Sequence, residues 1–154
     1  MNYKKLPKKE ELHSLLTYNA QNGFLYWRKR NGNKAGCNAR YVVVRVNKIL
    51  YPAHRLIYKM VNGDFDESKE IDHINQDKYD NRIENLRVVT RQVNSMNRPK
   101  NKNNTSGYKG VTFCKQTNKW AAQIKVNYKN CKLGRYKKIP DAVMARRSAE
   151  LQLP

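Results

Sequence analysis

The sequence is poor in cysteine, in acidic residues and in long apolar runs, and each shortage narrows what the chain can be. Its three cysteines, Cys37, Cys114 and Cys131, are far apart and odd in number, and no CxxC pair occurs. A zinc ribbon is therefore not expected. Nothing calls for disulfides, and a reducing interior is the simpler reading; Cys114 and Cys131 fit neighbours across a sheet or, more simply, free buried thiols. No apolar stretch is long enough for a transmembrane helix, and the charged start does not read as a signal peptide. Acidic side chains number 12 against 32 lysines and arginines, a net charge of +20 over 154 residues. Nineteen basic and 10 acidic residues precede residue 99, and 13 and 2 follow, so the two parts carry +9 and +11. The length allows one to two small domains. An excess of this size, interleaved with aromatics, points to a polyanionic partner, with nucleic acid as the default. The alternative is a protein that is merely basic and soluble.

The apolar residues that are present alternate in recognisable periods. Leu12, Leu15 and Leu16 share one face of a helix expected over 7–18, with Pro7 in its first turn and Glu10 and Glu11 suited to its dipole. His13 on this helix reads as a surface residue. Asn22-Gly23 is a turn, and 24–30 reads as a strand with Leu25 and Trp27 on one face. A second turn follows at 31–33. A strand over 40–46 alternates Val42, Val44 and Val46 with Tyr41, Val43 and Arg45, and Asn47-Lys48 turns it into 49–52. A second helix is expected over 53–62, with Leu56, Ile57, Met60 and Val61 toward a core and Gly63 ending it.

Residues 71–97 hold the chemistry: an Asp72-His73 pair, an Asn-rich loop, then Asn85-Leu86-Arg87-Val88-Val89-Thr90 and Val93-Asn94. Strands over 70–74 and 86–89, and a helix capped by Thr90 and running to about residue 96, would fold around one divalent ion. Asp72 offers an anionic oxygen to a hard cation such as Mg²⁺ or Mn²⁺, and the Asn94 amide oxygen is a neutral second ligand. So few protein ligands leave positions open for water and phosphate oxygens. His73, with a reference pKa of about 6.5, suits a base that takes a proton from attacking water. Neighbours in a strand point to opposite faces, so both groups reach one phosphate only if the strand ends at this pair. Asn75, Asp77, Asp80 and Asn81 fit a polar turn and are read as turn residues.

These residues resemble the HNH (ββα-metal) endonucleases, and most closely the phage homing endonucleases in which Asn replaces the last His. The three motif letters fall on His73, Asn85 and Asn94, spaced 12 and 9 apart, with Asp72 just before the first. Asp80-Asn81-Arg82 and Glu84-Asn85-Leu86 also look like that family. The resemblance implies His73 as general base, Asp72 and Asn94 as metal ligands, and Asn85 as a brace of the loop, counted with His73 in the catalytic set. The Gly-Phe-Leu-Tyr-Trp, Tyr-Val-Val-Val and Ala53-His54-Arg55-Leu56 stretches resemble the segments that precede the Asp-His pair in phage members. They read as a platform for the motif. His54 fits either a phosphate contact or, more simply, a hydrogen bond at a helix start.

Residues 99–106 read as a basic, Asn-rich linker carrying Lys100 and Lys102, with Pro99 stopping the preceding helix. Beyond it, strands are expected over 108–113, 119–126 and 131–136, then a helix over 141–151 packed through Ala142, Val143, Ala145 and Ala149. The Ser106-Gly107-Tyr108-Lys109-Gly110-Val111, Lys119-Trp120-Ala121-Ala122-Gln123-Ile124 and Leu133-Gly134-Arg135-Tyr136 stretches resemble the Apetala-type DNA-binding domain. That family lays an open sheet face in the major groove. Carried across, the resemblance implies Lys109, Thr112, Gln123, Lys125 and Lys132 as contacts, with Lys where the family prefers Arg.

The expected fold is α+β. A nuclease domain over 1–98 has its ββα-metal core at about 68–98 and an N-terminal strand and helix platform. A linker over 99–106 joins it to a three-stranded antiparallel sheet with one helix over 107–154. The expected function is metal-dependent cleavage of double-stranded DNA by a homing-type endonuclease with Mg²⁺ or Mn²⁺. It would act as a monomer that nicks one strand, without a protein or membrane partner, inside the cell (the host cytoplasm if phage-encoded). A DNA-binding regulator that no longer cuts is the main alternative.

Overall fold

Leu12, Leu15 and Leu16 do not continue one long helix. In the computed structural model, which describes residues 4–29, 32–126 and 129–152, helix α1 (Lys9–Leu15) runs directly into strand β1 (Leu16–Asn19). Thr17 and Tyr18 favour extended backbone, and the turn ending at Gly23 lets β2 (Phe24–Trp27) pair back with Leu16 opposite Trp27. Hairpin bonds replace the helical ones, and Leu12 and Leu16 are both fully buried. His13 is exposed, but its Nε2 lies 3.0 Å from the Met60 carbonyl. Parts of the expected strand over 24–30 and turn over 31–33 fall on Arg30 and Asn31, outside the described residues.

Two short strands precede the valine run: β3 (Lys34–Ala35), beside β2, and β4 (Cys37–Asn38), beside β5 (Val42–Val46). In β5, Val42, Val44 and Val46 are buried. Asn47 and Lys48 both have positive φ, 48° and 65°, which turns the chain tightly into β6 (Ile49–Pro52). Helix α2 (Ala53–Asn62) follows. It buries Leu56, Ile57 and Met60, whereas Val61 turns outward at 41 % exposure, contrary to expectation. Leu12, Leu16, Val44, Leu56 and Ile57 form one core with Ile71 and Leu86. Full burial of each large side chain is worth roughly 1.5–3 kcal/mol.

Charged residues of α2 carry this core on to the next strand. Arg55, 1 % exposed, donates through Nη1 to the Lys69 carbonyl and through Nη2 to that of Glu67, both at 2.9 Å. Lys59 pairs with Asp64 at 3.1 Å and Glu67 at 3.0 Å. The segment after Gly63 is thereby fastened to the helix, and β7 (Glu70–His73) starts from a fixed point. β7 pairs antiparallel with β8 (Leu86–Val89), Asp72 opposite Arg87 and His73 opposite Leu86. Helix α3 (Arg91–Asn97) follows with the Thr90 hydroxyl accepting from Val93 N.

The chain divides into two compact units, Met1–Arg98 and Pro99–Pro154. In the second, β10 (Lys119–Val126) lies between β9 (Val111–Cys114) and β11 (Lys129–Tyr136), all antiparallel. Helix α4 (Ile139–Leu151) starts two residues earlier than expected and packs Ala142 and Val143 on Val111 and Ala122. The residues just before β9 are tied into this unit. Ser106, 8 % exposed, donates to the Val111 carbonyl at 2.6 Å, and the Asn104 amide donates to that of Tyr108 at 2.8 Å. Cys114 and Cys131 are free thiols, but Cys131 is exposed and Cys114 half-buried, so the expected burial is corrected. No helix among the described residues is long and apolar enough to cross a membrane.

Candidate functional site

β7 ends at His73, where the chain turns into the loop that leads to Asn85. Asp72 and His73 are 4 % and 5 % exposed and look to opposite sides of the strand. On one side, Arg87 from β8 donates through Nη2 and Nε to Asp72 Oδ2, at 2.8 and 3.0 Å. Helix α3 brings the Asn97 amide nitrogen to 3.0 Å from both Asp72 oxygens and to 2.8 Å from the His73 carbonyl. The Ile74 carbonyl lies 3.4 Å from the same nitrogen.

One amide nitrogen has two hydrogens, and here it meets four oxygens. Arg87 adds two N–H groups on Asp72, so these oxygens are supplied with donors, and an ion that takes oxygen ligands would displace part of this network. Asn94 does not meet Asp72 here. Its amide donates to Glu70, two residues back along β7, and Glu70 also faces Arg91 at 3.9 Å. The amide that meets Asp72 is that of Asn97, through its nitrogen, one helical turn beyond the residue the motif singles out. Asn97 was not among the expected site residues. Its spacing of three from Asn94, on one helix face, was the available signal. Among the described residues no three His, Cys, Asp or Glu side chains gather in a way that would hold an ion.

On the other side of β7, the His73 ring is enclosed by His54, Tyr41 and Asn81. His54 meets it edge-on at 5.0 Å, and Tyr41 lies nearly parallel to it at 6.3 Å. His54 is 7 % exposed, and its Nδ1 has no hydrogen-bond partner among the described residues. Burial pushes its pKa down to about 3, with the charges of His73 and Arg55 adding to the effect, so it stays neutral. The ring packs against that of His73. Asn81 is 1 % exposed, and its Oδ1 lies 3.0 Å from His73 Nε2. In the sequence Asn81 reads as a turn residue, because nothing local distinguishes it from Asn75 or Asp77.

The loop between the strands is held by Asn85. Its Oδ1 accepts from Asn75 N at 2.9 Å, and its Nδ2 donates to Asn75 Oδ1 at 2.9 Å and the Asp80 carbonyl at 2.8 Å. It contacts the loop and not the His73 ring. Arg82 pairs with Asp80 at 2.8 Å and holds that carboxyl down to about 2. Tyr18 of β1 accepts from Ile83 N at 2.9 Å and donates to the Asn81 carbonyl at 3.3 Å, and burial pushes its phenol up.

In the second unit the face of the sheet turned away from α4 carries the expected contacts. Across the strands, Thr112 stands level with Ala121 and Arg135, Gln123 with Lys132, and Lys125 with Asn130. Thr112, Gln123, Lys125 and Lys132 are exposed, and Lys109 is half-buried in the turn before β9. Arg135 belongs to the same exposed row and was missed. The register shift between Ala122 and Gln123 brings it there, and such a shift is not readable from alternation alone. Lys100 and Lys102 are exposed, and Lys100 Nζ donates to the Gly107 carbonyl at 2.9 Å.

Residues 51–96 match the model of the HNH endonuclease family. Protein 3.8 of Escherichia phage T7 is 31% identical over 71 residues, 46% of this chain and 59% of that protein's length. The chain thus spans somewhat over half of the relative it matches. No solved structure matches it.

Proposed function

We propose that the chain is a metal-dependent DNA endonuclease that hydrolyses a phosphodiester at the end of β7. The observation that carries this reading is that β7 ends at the adjacent pair Asp72-His73, within the segment similar to HNH endonucleases. Asp72 and Asn97, with Asn94 beside them on the same helix, would hold Mg²⁺ or Mn²⁺. Bound there, such an ion supplies positive charge to the scissile phosphate and to the departing oxygen.

The protein's own groups supply the rest. His73 takes the proton of the attacking water, and its burial with His54 and Tyr41 limits the water around it. Arg87 balances the Asp72 carboxylate in a poorly hydrated place, and with 43 % of its side chain exposed it also has access to a phosphate oxygen. Asn85 keeps the 75–80 loop closed. The exposed row of Lys125, Lys132, Gln123, Thr112 and Arg135 holds duplex DNA, as in the Apetala-type domains it resembles, mostly through phosphates. Lys100, Lys102 and Lys109 add phosphate contacts. One such site per chain makes a monomer a nicking enzyme. The use that fits best is site-directed, of the homing type and inside the cell.

Supercoiled plasmid incubated with Mg²⁺ or Mn²⁺ tests this, beside EDTA and His73→Ala controls. Open circles that form with metal and vanish in both controls are expected. Tight, salt-sensitive DNA binding without cleavage on any target would replace this reading with a DNA-binding regulator.

A further inference from the structure

The nuclease reading leaves the buried Asn81 without a task. Residues 74–79 of the loop are exposed, yet Asn81 is 1 % exposed. A buried amide is tolerated only when its oxygen and nitrogen both find partners. Asn81 Oδ1 faces His73 Nε2 at 3.0 Å, and its Nδ2 points to the Tyr79 carbonyl at 3.5 Å. Turning the amide over would set two oxygens against each other at Tyr79, so the oxygen belongs on the histidine side. An amide oxygen accepts and cannot donate. The hydrogen of that contact therefore sits on His73 Nε2, and the lone pair of the neutral ring is on Nδ1.

Asn81 is itself held from outside the segment that matches the HNH family. Its carbonyl accepts from Tyr18, which also takes the Ile83 N–H, so one phenol ties down both ends of Asn81-Arg82. Gly23, at φ 72°, lies so close that a Cβ there would come within 2.6 Å of Arg82 N and 2.8 Å of the Asn81 carbonyl carbon. Only a glycine lets the β1–β2 turn press on the loop in this way. We infer that Asn81 is the positioning residue of His73: it holds the imidazole in its Nε2–H form, leaving Nδ1 to take the proton, and the Tyr18–Gly23 hairpin holds Asn81. The catalytic part of this inference rests on His73 being the base; the tautomer does not.

Two measurements on the full chain test it. Nitrogen-15 NMR of the histidines should show neutral His73 protonated at Nε2 in the wild type, and a mixture of both forms in Asn81→Leu. In cleavage, Asn81→Leu should lower kcat about 100-fold with KM and DNA affinity within about threefold, the size of a lost general base. Asn81→Asp keeps an accepting oxygen and should recover at least a tenth of the wild-type kcat. Tyr18→Phe should fall in the same direction by about 3- to 10-fold, the worth of about one hydrogen bond. A wild-type His73 protonated at Nδ1 overturns the inference, as does Asn81→Leu with kcat near wild type. If Asn81→Leu does not fold, the wild-type tautomer and the kcat of Asn81→Asp decide. If no DNA is cut, the function is refuted while the tautomer still answers for Asn81.

Discussion

His54 makes the first unit sensitive to mild acid, and the size of the effect follows from its burial. Its folded pKa lies at about 3 against 6.5 for a free imidazole, chiefly because the charged form would lose its water. The unfolded chain therefore binds a proton that the folded chain refuses, and stability falls as pH drops below 6.5 toward 3. Above 6.5 both states are neutral at this group and it contributes no pH dependence. Lowering the pH from 8 to 5 brings the unfolded imidazole about 1.5 units below its pKa, which at about 1.36 kcal/mol per unit costs about 2 kcal/mol. For a unit of this size that corresponds to roughly 8–16 °C in Tm.

Other groups also titrate over that range, so the comparison is with His54→Phe, which keeps an aromatic ring against His73. The two tryptophans, Trp27 and Trp120, fall one in each unit. In a Trp120→Phe background, Trp27 fluorescence reports urea unfolding of the first unit alone. Unfolding free energies at pH 8 and pH 5 should fall about 2 kcal/mol further in the His54 protein than in His54→Phe. Parallel losses in the two proteins would mean that His54 is protonated in the folded state at pH 5, and the reasoning from burial would fail.

Asn85→Ala removes three hydrogen bonds across the 75–80 loop from a residue 7 % exposed, and should cost about 1–3 kcal/mol in urea unfolding. A loss below about 0.5 kcal/mol would show that the loop does not depend on it. Lys125→Ala and Arg135→Ala should each lower the slope of log affinity for DNA against log salt by about 1. An unchanged slope removes that residue from the phosphate contacts. By calorimetric titration with Mn²⁺, Asn97→Ala should weaken binding about tenfold, more than Asn94→Ala, because Asn97 is the amide on Asp72. The reverse order would return the ligand role to Asn94.

What could be read from sequence were the features set by near neighbours. The α2 core face follows from the spacing of Leu56, Ile57 and Met60, and the β5–β6 turn from Asn47-Lys48, because each rests on backbone geometry within a few residues. Helix α1 is shorter than its apolar period implies, for the complementary reason. Leu16 fits the helical period as well as it fits a strand, and the choice is made by β2 arriving to pair with it. Val61 fits the apolar period of α2 too, yet nothing of the core reaches the last turn of that helix on its side.

The site divides along the same line, which explains why the two residues missed there are both asparagines. Asp72 and His73 are adjacent, and a strand ending at that pair is a local event. Asn81 gains its importance from a ring eight residues back and a phenol in another hairpin, while its immediate neighbours spell an ordinary turn. Asn94 and Asn97 are a sharper case. They lie one turn apart on one face of α3, and Glu70 and Asp72 lie two apart on one face of β7. Either asparagine meets Asp72 if the helix slides by about 4.5 Å, the rise of three residues. That position is fixed by how α3 packs on β7 and β8, a tertiary quantity that spacing within one strand and one helix does not contain. The spacing of the motif letters therefore defines the face of α3 turned to β7, and packing selects which residue on it meets Asp72.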